Sequence, residues 1–178
     1  MSPNYQNRLM IIRQERPTDY NEVYQLVKSS FESNEATDGT VPDYLNELRT
    51  KDAFIPELSL VAEKDGQIVG QITLYKTDVI TPQGKHTELL LSPISVHPKF
   101  FRRGIARAMT EEALTRAKNM GFRAVFLCGN PDFYRKLGFV PSFSYNIYHK
   151  SDKTAEWSMV KELYSDALNG INGTIDTV

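Results

Sequence analysis

Ser95-Val96-His97-Pro98-Lys99-Phe100-Phe101-Arg102-Arg103-Gly104-Ile105-Ala106 joins an almost wholly apolar run, Glu88 to Val96, to a helical stretch that begins at Gly104. The run reads as a strand buried on both faces and so central to a sheet. Pro93 lies inside it and has no N–H to give to a ladder, which predicts a bulge or an unpaired point there. After Gly104, Ile105, Met109 and Ala113 fall on one stripe, with Ala106 and Ala117 beside it, as in an amphipathic helix. Glu112 and Arg116 form an i,i+4 pair, and Gly121 marks the end. A buried strand that enters a helix through a short basic loop is an anion site in outline. The first N–H groups of a helix have no internal partner, the macrodipole adds positive charge, and a glycine admits a phosphate close to the backbone. Arg102 and Arg103 add charge, with Lys99 near them. The loop carries neither G-x-x-x-x-G-K-[ST] nor G-x-G-x-x-G, which argues against a nucleoside-triphosphate loop and a dinucleotide fold.

Upstream, Leu9 to Arg13 reads as a first strand. Pro17-Thr18-Asp19 looks like a helix start, capped by Asp19 or Thr18, for a helix carrying Val23, Leu26, Val27 and Phe31. Glu32 to Gly39 reads as a polar loop, and Tyr44, Leu45 and Leu48 as a second short helix. Leu58 to Glu63 and Ile68 to Thr77 are strands joined by the hairpin turn Lys64-Asp65-Gly66-Gln67, with Gly70 as a possible bulge. Thr81-Pro82-Gln83-Gly84 is another turn. Downstream, Ala124 to Leu127 is a short buried strand and Pro131 to Lys136 a further helix. Phe139 onward, with Phe143, Tyr145, Ile147 and Tyr148, reads as strand. In the tail, Val160, Leu163 and Leu168 suggest a docked helix and Gly173 to Val178 a last strand. The alternation places the chain in the α/β class, with a mixed sheet, in one domain over residues 1–178.

A second motif follows the first by about 25 residues, the stretch Gly129-Asn130-Pro131-Asp132-Phe133-Tyr134-Arg135-Lys136-Leu137-Gly138-Phe139. The pair, VHPKFFRRGIA and then NPDFYRKLGF, with a helix and a short strand between, resembles the GNAT superfamily of acyl-CoA-dependent N-acetyltransferases. The resemblance covers the first strand to about Phe143, and the ending ELYSDALNGINGTI is similar to small bacterial members of that superfamily. It implies a mixed, mostly antiparallel central sheet flanked by helices and splayed at the central strand. It implies an acetyl-CoA co-substrate whose pantetheine arm pairs with the backbone of Ile94, Ser95 and Val96. The pyrophosphate would rest on the N–H groups of Arg102, Arg103, Gly104, Ile105 and Ala106. Asn130 would contact the pantetheine region, and Tyr134 would stand near the thioester sulfur as general acid. The chain departs from the pattern at Phe101, where the family has Gln or Arg. Phosphate binding there depends on backbone, so the side chain of Phe101 is not expected to be a ligand.

The expected reaction is direct attack of a primary amine, on a small molecule or a protein, with the oxyanion held by a backbone N–H near Ile94 to Val96. Glu88, at the start of the central strand, is the candidate general base, acting through water; it also suits a plain edge position. Glu32 and Glu35 are candidates for lining the acceptor site, against the simpler reading of an exposed polar loop. Cys128 follows a buried strand and reads as an inert packing residue, and no histidine has a triad context. A non-catalytic acyl-CoA-binding sensor on the same fold is the alternative.

Composition narrows the rest. There are 178 residues with 21 basic and 22 acidic side chains, a net charge of −1, and 40% hydrophobic content. A basic excess suited to nucleic acid is lacking, as is a polybasic or long apolar segment suited to a membrane. With one cysteine and no signal-like N-terminus, a cytoplasmic location is expected. Histidines 86, 97 and 149 are scattered, so no metal is expected. A homodimer is possible, since members of the resembled family are often dimers.

Overall fold

The computed structural model describes residues 9–32 and 39–177. Among the described residues nine strands form one sheet, around which four α-helices pack. The strands are β1 (Ile11–Gln14), β2 (Phe54–Lys64), β3 (Gln67–Thr81), β4 (Gly84–Val96), β5 (Ala124–Cys128), β6 (Val140–Pro141), β7 (Ile147–His149), β8 (Ser158–Glu162) and β9 (Gly173–Ile175). The helices are α1 (Tyr20–Phe31), α2 (Val41–Leu48), α3 (Ile105–Asn119) and the single turn α4 (Pro131–Tyr134). The sheet order is β1-β2-β3-β4-β5-β8-β6, with β9 added to β3 and β7 to β9. All pairs are antiparallel except β4 with β5 and β7 with β9. None of the helices among the described residues is long and apolar enough to cross a membrane.

Local chemistry sets the frame. Asp65 and Gly66 both take positive φ, 55° and 77°, as a two-residue hairpin turn demands, and Gly is the residue that does so without strain. The β3–β4 register passes from Ile72 opposite Ile94 to Leu74 opposite Leu91, so β4 carries one extra residue at Ser92-Pro93. This is the bulge expected at Pro93. A second irregularity lets Ala62 face Gly70 while Glu63 faces Ile68. Gly70 has a packing reason as well: a Cβ there would meet Met109 Sδ at 2.9 Å and Ile105 Cγ2 at 3.1 Å, so the glycine lets α3 lie close on the sheet.

The sheet separates two apolar layers. Leu58, Leu60, Ile72, Leu74, Leu89 and Val125 pack under Ile105, Met109 and Ala113 of α3. On the opposite face Val61, Tyr75, Leu90 and Phe126 meet Val23, Leu26 and Val27 of α1 and Leu45 and Leu48 of α2.

Three sequence readings need correction. Asp19 does not cap α1 with its side chain; the carboxylate accepts from the Arg16 N–H at 2.7 Å and pairs with Arg13. A neighbouring guanidinium outcompetes the helix N–H groups. Phe143 and Tyr145 lie in a 3-10 turn, Ser142–Tyr145, rather than a strand, because Asn146 reverses the chain at φ 56°. Val160 belongs to a strand and not to a docked helix. It lies between Phe126 of β5 and Val140 of β6, while Glu162 accepts the Leu168 N–H and pins the following turns. Nothing local in the tail sequence announces these long-range partners.

Candidate active site

The parallel strands β4 and β5 pair only at Leu89 with Val125 and Leu90 with Phe126, and then separate. On its other side β4 stays paired with β3 as far as Val96 opposite Gly70. The last residues of β4 therefore present a free backbone edge to a wedge-shaped gap. The bulge at Pro93 bends the strand at the point of separation.

A cleft of about 580 Å³ fills the gap. Ile94, Ser95 and Val96 form one wall; Phe100, Phe101, Arg102, Gly104, Ile105, Ala106 and Arg107 form the end; Phe133, Lys136 and Leu137 form the other wall; and Ser30 of α1 reaches it from across the sheet. Arg102 and Gly104 have positive φ, 60° and 78°. Such a turn directs successive N–H groups to one side as an anion-binding concavity. Helical bonding resumes only at Ala108, whose N–H donates to Gly104 O at 3.0 Å, which leaves the first N–H groups of α3 for a ligand. Arg103 is exposed and lies over the Phe100 ring, 5.2 Å from its centroid. Arg107 donates to Lys136 O at 3.2 Å and ties the end of the cleft to the second wall.

Tyr134 is buried behind this wall, 8% exposed. Its ring meets Phe133 and Phe139 edge to face at centroid distances of 4.9 and 5.7 Å. Gly129 lies against the ring so closely that a Cβ there would strike Tyr134 Cε2. Burial pushes the phenol up to about 12, so it holds its proton at neutral pH. Asn130 is occupied as a cap: its Oδ1 accepts the Asp132 N–H at 2.9 Å and starts α4.

Glu88 is not brought to the cleft. It sits one residue before the β4–β5 pairing begins, buried, and its carboxylate accepts N–H groups of Arg123 and Ala124 at 3.0 and 3.2 Å. Burial raises its carboxyl above the usual range, an effect those two N–H groups oppose. It acts as a strut between β4 and the start of β5. Glu32 ends α1 two residues after Ser30 and is not itself among the residues that line the cleft, and Glu35 lies outside the described residues. Cys128 is exposed at the end of β5 with Sγ 2.5 Å from Thr177 Oγ1, and the protein packed about its sulfur raises the thiol. That is the opposite of what a nucleophilic thiolate requires. Sequence reasoning missed Gly129, Leu137 and Ser30. Gly129 lies within the quoted second motif, yet its contact with Tyr134 is visible only in three dimensions.

A strand edge freed by a bulge, a parallel partner that veers away, and a basic loop entering a helix define the architecture of acyl-CoA-dependent acyltransferases. The profile of the acetyltransferase (GNAT) domain matches residues 11–142, and the chain belongs to that family. The chain is similar to the N-acetyltransferase YhbS of Escherichia coli K12, 31% identical over 169 residues, which are 94% of this chain and 95% of YhbS. A crystal structure of E. coli YhbS in complex with CoA superimposes with a TM-score of 0.84 and 25% identity, covering 100% of this chain and 93% of that one. A GNAT acetyltransferase from Brucella melitensis in complex with acetyl-CoA gives 0.76 and 25%, covering 94% and 95%.

Proposed function

We propose that this protein transfers an acetyl group from acetyl-CoA to a primary amine by direct attack, with Tyr134 as the general acid. The observation that carries the reading is the cleft itself. One wall is an unpaired strand edge, which suits the amides of a pantetheine arm, and its end is a nest of N–H groups with two arginines, which suits a pyrophosphate. The CoA complex of E. coli YhbS and the acetyl-CoA complex of the Brucella protein support this use of the cleft.

In the reaction an N–C bond forms, the C–S bond breaks, and one proton of the amine ends on sulfur. The amine must be neutral, and alkylamines ionise near ~10, so the attacking fraction grows as pH rises toward that value. A backbone N–H of the free β4 edge is the group to hold the oxyanion. Tyr134 meets the departing sulfur. A phenol near 12 is a weaker acid than a thiol at roughly 8.5, so full transfer in advance is uphill. Tyr134 therefore hydrogen-bonds the sulfur first, passes its proton on as the C–S bond breaks, and regains one from the newly acylated ammonium, so that one amine proton ends on sulfur. Glu88, held by β5, is not used as the base. The acceptor is a small molecule or a protein amino group.

The test is release of CoA thiol from acetyl-CoA across a panel of primary amines, for the native protein and Tyr134→Phe. The expected result is turnover with at least one amine, lowered about 100-fold or more in the variant, with acetyl-CoA affinity little changed. Undiminished turnover in Tyr134→Phe removes the general-acid role. Binding of acetyl-CoA without turnover on any amine points to a sensor instead.

A further inference from the structure

A line of buried polar side chains crosses the sheet on the face covered by α1 and α2. Arg49 and Glu15 pair at 2.5 Å, with side chains 5% and 1% exposed. Ser59 Oγ donates to Glu15 Oε2 at 2.8 Å. Thr73 Oγ1 lies 3.1 Å from Ser59 Oγ, and Gln71 Nε2 donates to Thr73 Oγ1 at 2.6 Å. The carboxylate at one end fixes the direction of every bond. Ser59 gives its only proton to Glu15, so it accepts from Thr73; Thr73 has then spent its proton and must accept from Gln71. The amide is therefore oriented, and Gln71 Oε1 is left at the far end as an acceptor. That atom is buried with no hydrogen-bond partner among the described residues, and so is Ser95 Oγ. Gln71 and Ser95 stand opposite each other on β3 and β4, so their side chains share a face. Ser95, only 2% exposed, lines the cleft. Unsatisfied buried polar atoms carry a desolvation penalty, and a whole column built to orient one is a sign of a ligand.

On the acyltransferase reading above, we infer that Ser95 and Gln71 are positioning residues for the acceptor amine. When the acceptor binds, the Ser95 O–H, which makes no hydrogen bond in this structure, turns to Gln71 Oε1, and the lone pairs of Ser95 Oγ take an N–H of the amine. This turns the nitrogen's own lone pair toward the thioester carbon. The site demands a donor: it fits a primary amine, whose second N–H remains free after attack, and it opposes a methyl or a carboxylate at the same point. The backbone of Ser95 faces the pantetheine and its side chain the nucleophile.

Two stable analogues test this without knowledge of the acceptor. In carbamoylmethyl-CoA (CoA–S–CH2–CO–NH2) an N–H donor follows a carbonyl set one carbon beyond the sulfur, within reach of Ser95; acetonyl-CoA (CoA–S–CH2–CO–CH3) differs only in carrying a methyl at that point. Their affinities are measured by titration calorimetry for the native protein, Ser95→Ala and Gln71→Leu. The ratio cancels any general effect on nucleotide binding. The native protein is expected to favour the amide by about 3- to 10-fold, the worth of one hydrogen bond, and each variant to bring the ratio near one. Equal native affinities, or a preference that survives in Ser95→Ala, overturns the inference and leaves the acyltransferase reading intact. Failure of the native protein to bind either analogue or CoA overturns the reading itself.

Discussion

Three neighbours hold the Tyr134 ring in place: Gly129 against its side, Phe133 and Phe139 edge-on. Gly129→Ala introduces a methyl group that meets the ring and Leu127 Cδ1 at 3.3 Å, and because Gly129 has no positive φ the effect is steric alone. The expected outcome is turnover lowered well beyond the loss in acetyl-CoA affinity, checked by steady-state kinetics beside calorimetry. Glu88 makes the opposite case. Its folded pKa is raised by burial, so its contribution to stability is fully present below the unfolded value near ~4.3 and is lost as pH rises through the folded value. Glu88→Gln cannot ionise and keeps a carbonyl for the two N–H groups, so above that window the variant equals or exceeds the native protein in thermal midpoint, with turnover retained. Glu88→Ala leaves both N–H groups without a partner and costs about 1–3 kcal/mol. A loss of turnover in Glu88→Gln at unchanged stability would restore it as a base. The sequence singles out Tyr134 because two motifs frame it. It offers Glu88 as a base because an acidic residue beside a buried strand carries no sign of what its carboxylate faces; the hydrogen-bond partners in the structure are backbone groups 35 and 36 residues away.

At the scale of elements, the β4 bulge and the α3 entry were both readable, since a proline without an N–H and a glycine before a helical stripe act locally. The separation of β4 from β5 followed from the family resemblance and not from any residue, because it depends on which strands become neighbours. Likewise the tail strand β8 was missed: its Val160 is defined by partners on β5 and β6. The ion pair that joins α2 to the end of β1 was also invisible in sequence, Arg49 and Glu15 being 34 residues apart. Arg49 also lies over the Tyr20 ring at 4.1 Å. Arg49→Ala strands a buried carboxylate and is expected to cost about 3–5 kcal/mol in chemical unfolding. A cost below 1 kcal/mol would mean that water reaches Glu15 and that the column it anchors is not dry.

Over the whole molecule the charges nearly cancel, at −1 net, so the basic loop at Arg102 and Arg103 stands out against a neutral background. Affinity for acetyl-CoA is therefore expected to weaken as salt rises from about 0.05 to 0.5 M, because exposed arginines attract phosphate through screened Coulomb forces. Arg102→Ala with Arg103→Ala should flatten that dependence while leaving residual binding from the N–H nest. A slope unaltered in the double variant would move the phosphates away from this loop.

The most direct test of the central claim is calorimetric titration of the native protein with acetyl-CoA. The cleft between β4 and β5 predicts one saturable site per chain with a dissociation constant in the micromolar range, about −8 kcal/mol. An absence of binding at millimolar nucleotide would contradict the account and leave this chain with the family's fold but without its co-substrate.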